Sequence, residues 1–160
     1  LSVLTSAFEW QSRAVMARHV RLYFSDWPIK VLPPALEPVT MLTAFGLGLG
    51  AYMSGIEWRG REVSYLSFVA PGMLAYAAFM TPFFQALFAA YIRMHYQRTW
   101  EGQLTTQIEM RHVVWGEVLW AAMLGTIYAT VVAAVLLIFH ASGFLTLDVW
   151  RLPLVIPFAF

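Results

Sequence analysis

Three long stretches almost empty of charge constrain this chain more than any other feature. Val63 to Ile92 runs thirty residues without Asp, Glu, Lys or Arg, Val118 to Phe139 runs twenty-two, and Val31 to Met53 runs twenty-three with Glu37 alone. A bilayer's hydrocarbon core, about 30 Å thick, takes roughly 20 apolar residues of helix to cross. A helix that is apolar all round must be buried in protein or lipid, and 160 residues cannot bury three of them in protein alone. A chain that is 60% hydrophobic and only 12% charged fits that solvent. The expected fold class is all-α, a polytopic membrane helix bundle treated as one transmembrane domain over 1–160.

The remaining composition excludes more than it specifies. A net charge of +1 gives no field for nucleic acid. With no cysteine, disulfides and thiolate metal sites are excluded. The first thirty residues mix charge and aromatics and do not read as a cleaved signal peptide. Leu at position 1 and the apolar run Leu152–Phe160 predict a fragment lacking both natural ends.

Along the chain, 5–27 reads as an amphipathic helix. At 100° per residue Val15, Met16, Val20, Tyr23 and Trp27 gather on one side, with Arg18 and Arg21 opposite. Such a helix suits the membrane interface, or else packs on other protein. The first span is expected over 31–53, its helix starting near Leu36 with Pro38 in the first turn. A charged loop with Glu57, Arg59, Arg61 and Glu62 follows. The second span is expected over 66–92, with Pro71-Gly72 and Pro82 as places to break, so that a short turn or half-helix precedes one crossing. Residues 93–117 form a charged loop in which Leu104, Ile108 and Trp115 suggest a short amphipathic helix. The third span covers 118–139, and 151–160 begins a fourth.

Seven of the ten Lys and Arg residues lie in 1–30 and 93–117. The positive-inside rule therefore puts the N-terminus and the 93–117 loop of a multi-pass chain in the cytoplasm.

Few residues offer chemistry. Lys30 is the only lysine and no Gly-x-x-x-x-Gly-Lys precedes it, so the chain has no P-loop. His-Glu-x-x-His and Gly-x-Ser-x-Gly are absent, and His112 and Glu117 are poorly spaced for one helix face, so neither a catalytic nor a metal site is expected. Glu37 is either a polar element of a substrate path or an interfacial acid at a helix N-terminus. Gly46 and Gly50 share a helix face, where they either admit another helix closely or loosen the span's end. Tyr76, Thr81, Gln85 and Tyr91 could line a path for a sugar or lipid headgroup, or satisfy neighbouring helices.

Four segments in order then resemble a known family. They are Leu36-Glu-Pro with Ala44-Phe-Gly-Leu-Gly-Leu-Gly50, Tyr65-Leu-Ser-Phe-Val-Ala-Pro-Gly-Met73, Met94-His-Tyr-Gln-Arg-Thr-Trp-Glu101 and Trp115-Gly-Glu-Val-Leu-Trp-Ala-Ala122. Together they resemble type-2 ABC exporter permeases, in particular the nodulation protein J branch linked to lipo-oligosaccharide export. The resemblance implies a six-span permease that pairs with a second permease copy above two copies of a separate ABC ATPase. It implies that 5–27 is a connecting helix at the cytoplasmic face and that 93–117 holds the coupling helix. Arg98, Thr99, Trp100, Glu101, Leu104 and Ile108 would then meet the ATPase. ATP and Mg would sit on that subunit, with no cofactor in this chain. Family members often carry Thr-Pro after the Arg-Thr-Trp block; here Thr106 precedes Gln107, so the coupling helix is expected to start or extend differently. The competing functions are an intramembrane enzyme acting on lipid-linked sugars and a non-transporting membrane scaffold.

Overall fold

The computed structural model describes residues 5–50, 52–53, 55–58 and 60–143, so the expected fourth span at 151–160 lies outside the described residues. After a 3-10 turn at Ser6–Phe8 come α1 (Trp10–Phe24) and α2 (Trp27–Thr43), the latter running into a π-helical stretch, Ala44–Leu49. A hairpin of β1 (Ile56–Trp58) and β2 (Arg61–Val63) follows. Then come α3 (Tyr65–Phe84), a second π stretch (Gln85–Ala89), α4 (Ala90–His95), α5 (Thr99–Leu104) and α6 (Met110–Ala141). Among the described residues two helices are long and apolar enough to cross a membrane: Tyr65–His95, which joins α3, the π stretch and α4, and Met110–Ala141. At 1.5 Å per residue each is about 45–50 Å long, so turns remain outside a hydrocarbon core of about 30 Å.

Three expectations need correction. The helix expected from Leu36 begins at Trp27, and Pro33, Pro34 and Pro38 lie inside it. Proline removes the N–H that the carbonyl four residues earlier would accept. For Pro34 that carbonyl is Lys30's, and the Tyr128 hydroxyl donates to it instead at 3.4 Å. Over the expected first span α2 and its π stretch run from Trp27 to Leu49. No break occurs at Pro71-Gly72: α3 is continuous, and the only change of winding is the π stretch three positions after Pro82. The charged loop after α2 is a tight hairpin pairing Ile56 with Val63 and Trp58 with Arg61, with Gly60 at φ +74° in the left-handed region its turn requires.

By its contacts the chain divides into two units, Leu1–Trp27 with Met80–Gly125 and Pro28–Phe79 with Thr126–Phe160. The core of the second is a cluster of Leu42, Ala70, Leu74, Ala129, Val132 and Leu136. Spacings of three and four residues put each helix's contribution on one face. Nearby, Trp58 of the hairpin sits edge-on to Phe68, with ring centroids 5.7 Å apart.

In the first unit α1 buries Ser12, Val15, His19 and Tyr23, a single stripe. Val15 and Tyr23 are on the expected apolar side, whereas Met16 and Val20 are half-buried and Trp27 is exposed. Ser12 is tolerated in the stripe because its hydroxyl donates to the Ser6 carbonyl at 2.6 Å. On α6 the stripe meets Gly116, where an added Cβ would lie 2.5 Å from Val15 Cβ and 3.1 Å from the Ser12 carbonyl oxygen. Outward, Leu87 is 53% and Phe88 58% exposed, an apolar surface for lipid or other helices.

Replacing Gly116 by leucine should push α1 off α6 and destabilise the protein by about 1 to 3 kcal/mol. Thermal unfolding in detergent would show the loss, and trypsin would cut faster at Arg13 and Arg18.

Candidate functional site

The 93–117 segment is built to fold back on the helices at its ends. Tyr96 and Gln97 both donate their N–H groups to the Ile92 carbonyl at 3.0 Å, closing α4. Arg98 then takes a left-handed conformation, φ 48°, and turns the chain into α5. An L-residue there costs roughly 1–2 kcal/mol. The Thr99 hydroxyl donates to the Arg93 carbonyl at 3.0 Å, satisfying one of the acceptors left open at the end of α4. α5 is a short helix of six residues, after which Thr105–Gln107 turn back toward α6. Ile108 falls outside any helix and Trp115 lies within α6, so the amphipathic helix suggested through all three apolar positions is a correction: it ends at Leu104.

That path helps bring three polar side chains to one carboxylate, with two more behind them. Arg93 grips Glu117 with two nitrogens, Nε donating to Oε1 at 3.0 Å and Nη2 donating to Oε2. Such a fork is the strong form of an ion pair. The Trp100 indole N–H donates to Glu117 Oε1 at 3.2 Å, and His19 Nε2 stands 3.2 Å from the same oxygen. Gln85, with its amide oxygen turned toward the donors as the network requires, accepts from Trp120 Nε1 at 2.7 Å and from Arg93 Nη2 at 3.0 Å. The His19 ring stacks on Trp120 at 5.7 Å, and Tyr23 meets Trp120 edge-on at 5.6 Å. The pair is secluded: the Arg93 side chain is 15% exposed and that of Glu117 is 6%. A buried charge is tolerable only when paired and hydrogen-bonded, and each group here is.

A second tie joins the starts of α1 and α6. The Glu109 backbone N–H donates to His112 Nδ1 at 3.1 Å, so Nε2 carries the ring proton and donates to Glu9 Oε2 at 2.8 Å. That hydrogen bond holds the Glu9 carboxyl below its ordinary value.

The expected site residues divide among these surroundings. Arg98, Glu101 and Leu104 are exposed, whereas Thr99, Trp100 and Ile108 are half-buried. Trp100 therefore spends its N–H inside the chain. Glu37 and Tyr76 line one apolar cavity of about 430 Å³ with Met41, Phe68 and Met73. Thr81 and Gln85 do not line it, and Gln85 belongs to the polar cluster. Gly46 and Gly50 line another cavity of about 340 Å³. A Cβ on Gly46 would lie 2.6 Å from Leu66 Cδ1, and one on Gly50 2.3 Å from the Gly46 carbonyl oxygen. Among the described residues no three His, Cys, Asp or Glu are placed to hold a metal.

Sequence reasoning missed His19, Arg93 and Glu117 as a group. One signal could have found two of them. Arg93 directly follows one charge-free stretch and Glu117 directly precedes the next, so a single loop returns opposite charges to the same ends of two helices.

Removing one partner leaves the other charge buried. Glu117→Ala should cost about 3 to 5 kcal/mol, whereas Arg93→Met with Glu117→Met should come close to the parent stability. Paired thermal melts in detergent would measure the difference.

No family model matches the chain. No solved structure matches it. Among known proteins, nodulation protein J of Bradyrhizobium diazoefficiens is 34% identical over 130 residues, 81% of this chain and 47% of that protein. Nodulation protein J of Sinorhizobium fredii is 33% identical over 84% of this chain and 49% of its own length. That of Rhizobium leguminosarum bv. viciae is 38% identical over 66% of this chain and 40% of its own. The chain thus spans about half the length of the curated relatives it matches. Across most of the residues it has, the chain belongs with the nodulation protein J proteins as a homologue.

Proposed function

We propose that this chain is part of the membrane-spanning permease of an ATP-driven ABC exporter, and that its cargo is amphipathic, a lipo-oligosaccharide first among candidates. The observation that carries the proposal is the match to nodulation protein J over most of the chain. Two helices of membrane-crossing length and apolarity support it. On this reading ATP and Mg sit on a separate subunit. In the assembly two permease copies sit over two ATPases in the inner membrane, with the N-terminus and the 93–117 segment on the cytoplasmic side.

The segment from Arg98 to Leu104 then docks on the ATPase. Its exposed side chains, Arg98, Glu101 and Leu104, supply the contact, two of them charged and one apolar. When ATP closes the ATPases they push this segment, and the helices leading from it rock as rigid bodies to open the path outward. Glu37 and Tyr76, at their shared apolar cavity, are the groups nearest to a lining for such cargo.

Glu101→Arg together with Leu104→Asp in the full-length permease should abolish co-purification of the ATPase and stop export, with membrane insertion unchanged. Undiminished ATPase capture would remove α5 from the interface. Cysteine labelling at Gly102 from the cytoplasmic side only is the matching topological result.

A further inference from the structure

Trp100 lies in the middle of the segment proposed to meet the ATPase, yet its polar edge points inward, to Glu117. That oxygen, Glu117 Oε1, also receives Arg93 Nε and has His19 Nε2 beside it. The three neighbours come from three different elements: α5 supplies Trp100, α4 supplies Arg93 and α1 supplies His19. Glu117 itself is on α6, and Gln85, through Arg93 and Trp120, adds the π stretch. One buried carboxylate therefore holds the short loop helix, the N-terminal helix and the near ends of both membrane-crossing helices.

We propose that Glu117 is the positioning residue that makes α5 move as one body with α1, α4 and α6, with Arg93 as its counter-charge and Trp100 as the lever. The proposal rests on the permease function above and concerns transmission within the chain, not ATPase docking. Three physical features support it. α5 is only six residues long, too short to be stable alone, and depends on contacts outside itself. Its entry residue Arg98 is held in a left-handed conformation, and Thr99 is tied to the Arg93 carbonyl, so a push on α5 reaches Arg93 through bonded atoms. The carboxylate is 6% exposed, so water cannot substitute for a donor that leaves. A displacement of Trp100 must then either break a buried hydrogen bond or carry Glu117, and α6 with it.

The test uses the full-length permease in proteoliposomes with its ATPase, and a fluorescently labelled acyl-oligosaccharide as cargo. Three variants are compared with the parent: Glu117→Gln, Trp100→Phe, and the double variant Arg93→Met with Glu117→Met. Each should still bind the ATPase and hydrolyse ATP, while export per ATP hydrolysed falls by about fivefold or more. The double variant guards against misfolding, because an apolar pair fills the site without a buried charge. A parent-like export-to-ATP ratio in Glu117→Gln and Trp100→Phe would overturn the proposal. Hydrogen exchange over 99–104, measured on the permease alone in nanodiscs, supplies an arm independent of transport. It should quicken by about tenfold in Glu117→Gln and stay unchanged in Glu109→Gln, and unchanged exchange in Glu117→Gln would also overturn the proposal. A parent protein that neither captures the ATPase nor exports would instead overturn the permease function, leaving the exchange result to decide whether Glu117 holds α5.

Discussion

A carboxylate withdrawn from water keeps its charge only if donors replace the water on every side. Glu117 meets that condition through Arg93, Trp100 and the neighbouring His19, and much of the first unit is arranged by the requirement. α4 must end where Arg93 can reach, α5 must return Trp100 to the same oxygen, and α1 must lie with His19 inward. Apolar packing alone would leave these elements free to slide. The bidentate fork fixes a direction as well as a distance.

Glycine does the complementary work one residue earlier in the chain. Gly116 lets α1 approach until Val15 and the Ser12 carbonyl occupy the space a side chain would take. Adjacent positions of α6 thus set the approach and the orientation of α1, the first by having no side chain and the second by having a charged one. The Trp115-Gly-Glu-Val segment, which stood out in the sequence as part of a resemblance, has this physical content.

Much of the fold was legible because charge-free runs announce themselves. The two longest helices fall on Val63–Ile92 and Val118–Phe139 with a few added turns, since polar ends such as Met110–Glu117 continue a helix once it is nucleated. The start of α2 was not legible. Three prolines predict an interrupted helix from local chemistry, and the hydroxyl that serves one of the carbonyls they leave open comes from Tyr128, far along the sequence. The site was half legible. Exposed Arg98, Glu101 and Leu104 lie in the expected segment, but the buried cluster joins residues 19, 85, 93, 100 and 117 through tertiary contacts that no spacing rule connects. His19 was hidden for a related reason: on a helix wheel a polar residue counts against the buried face, although a nearby carboxylate makes it welcome there.

The π stretch at Gln85–Ala89 sets the rotational phase of α4. Over the eight residues from Gln85 to Arg93 an α-helix would overshoot two full turns by about 80°. Wider turns take up part of that excess, which is how Gln85 and Arg93 come to touch each other while one reaches Trp120 and the other Glu117. Excising a single residue from this stretch would preserve composition, apolarity and nearly all of the helix's length, yet would swing the guanidinium around the helix axis and away from its carboxylate. The irregular winding after Pro82 thus acts as an angular spacer, and its value lies in the residue count rather than in which apolar side chains it contains.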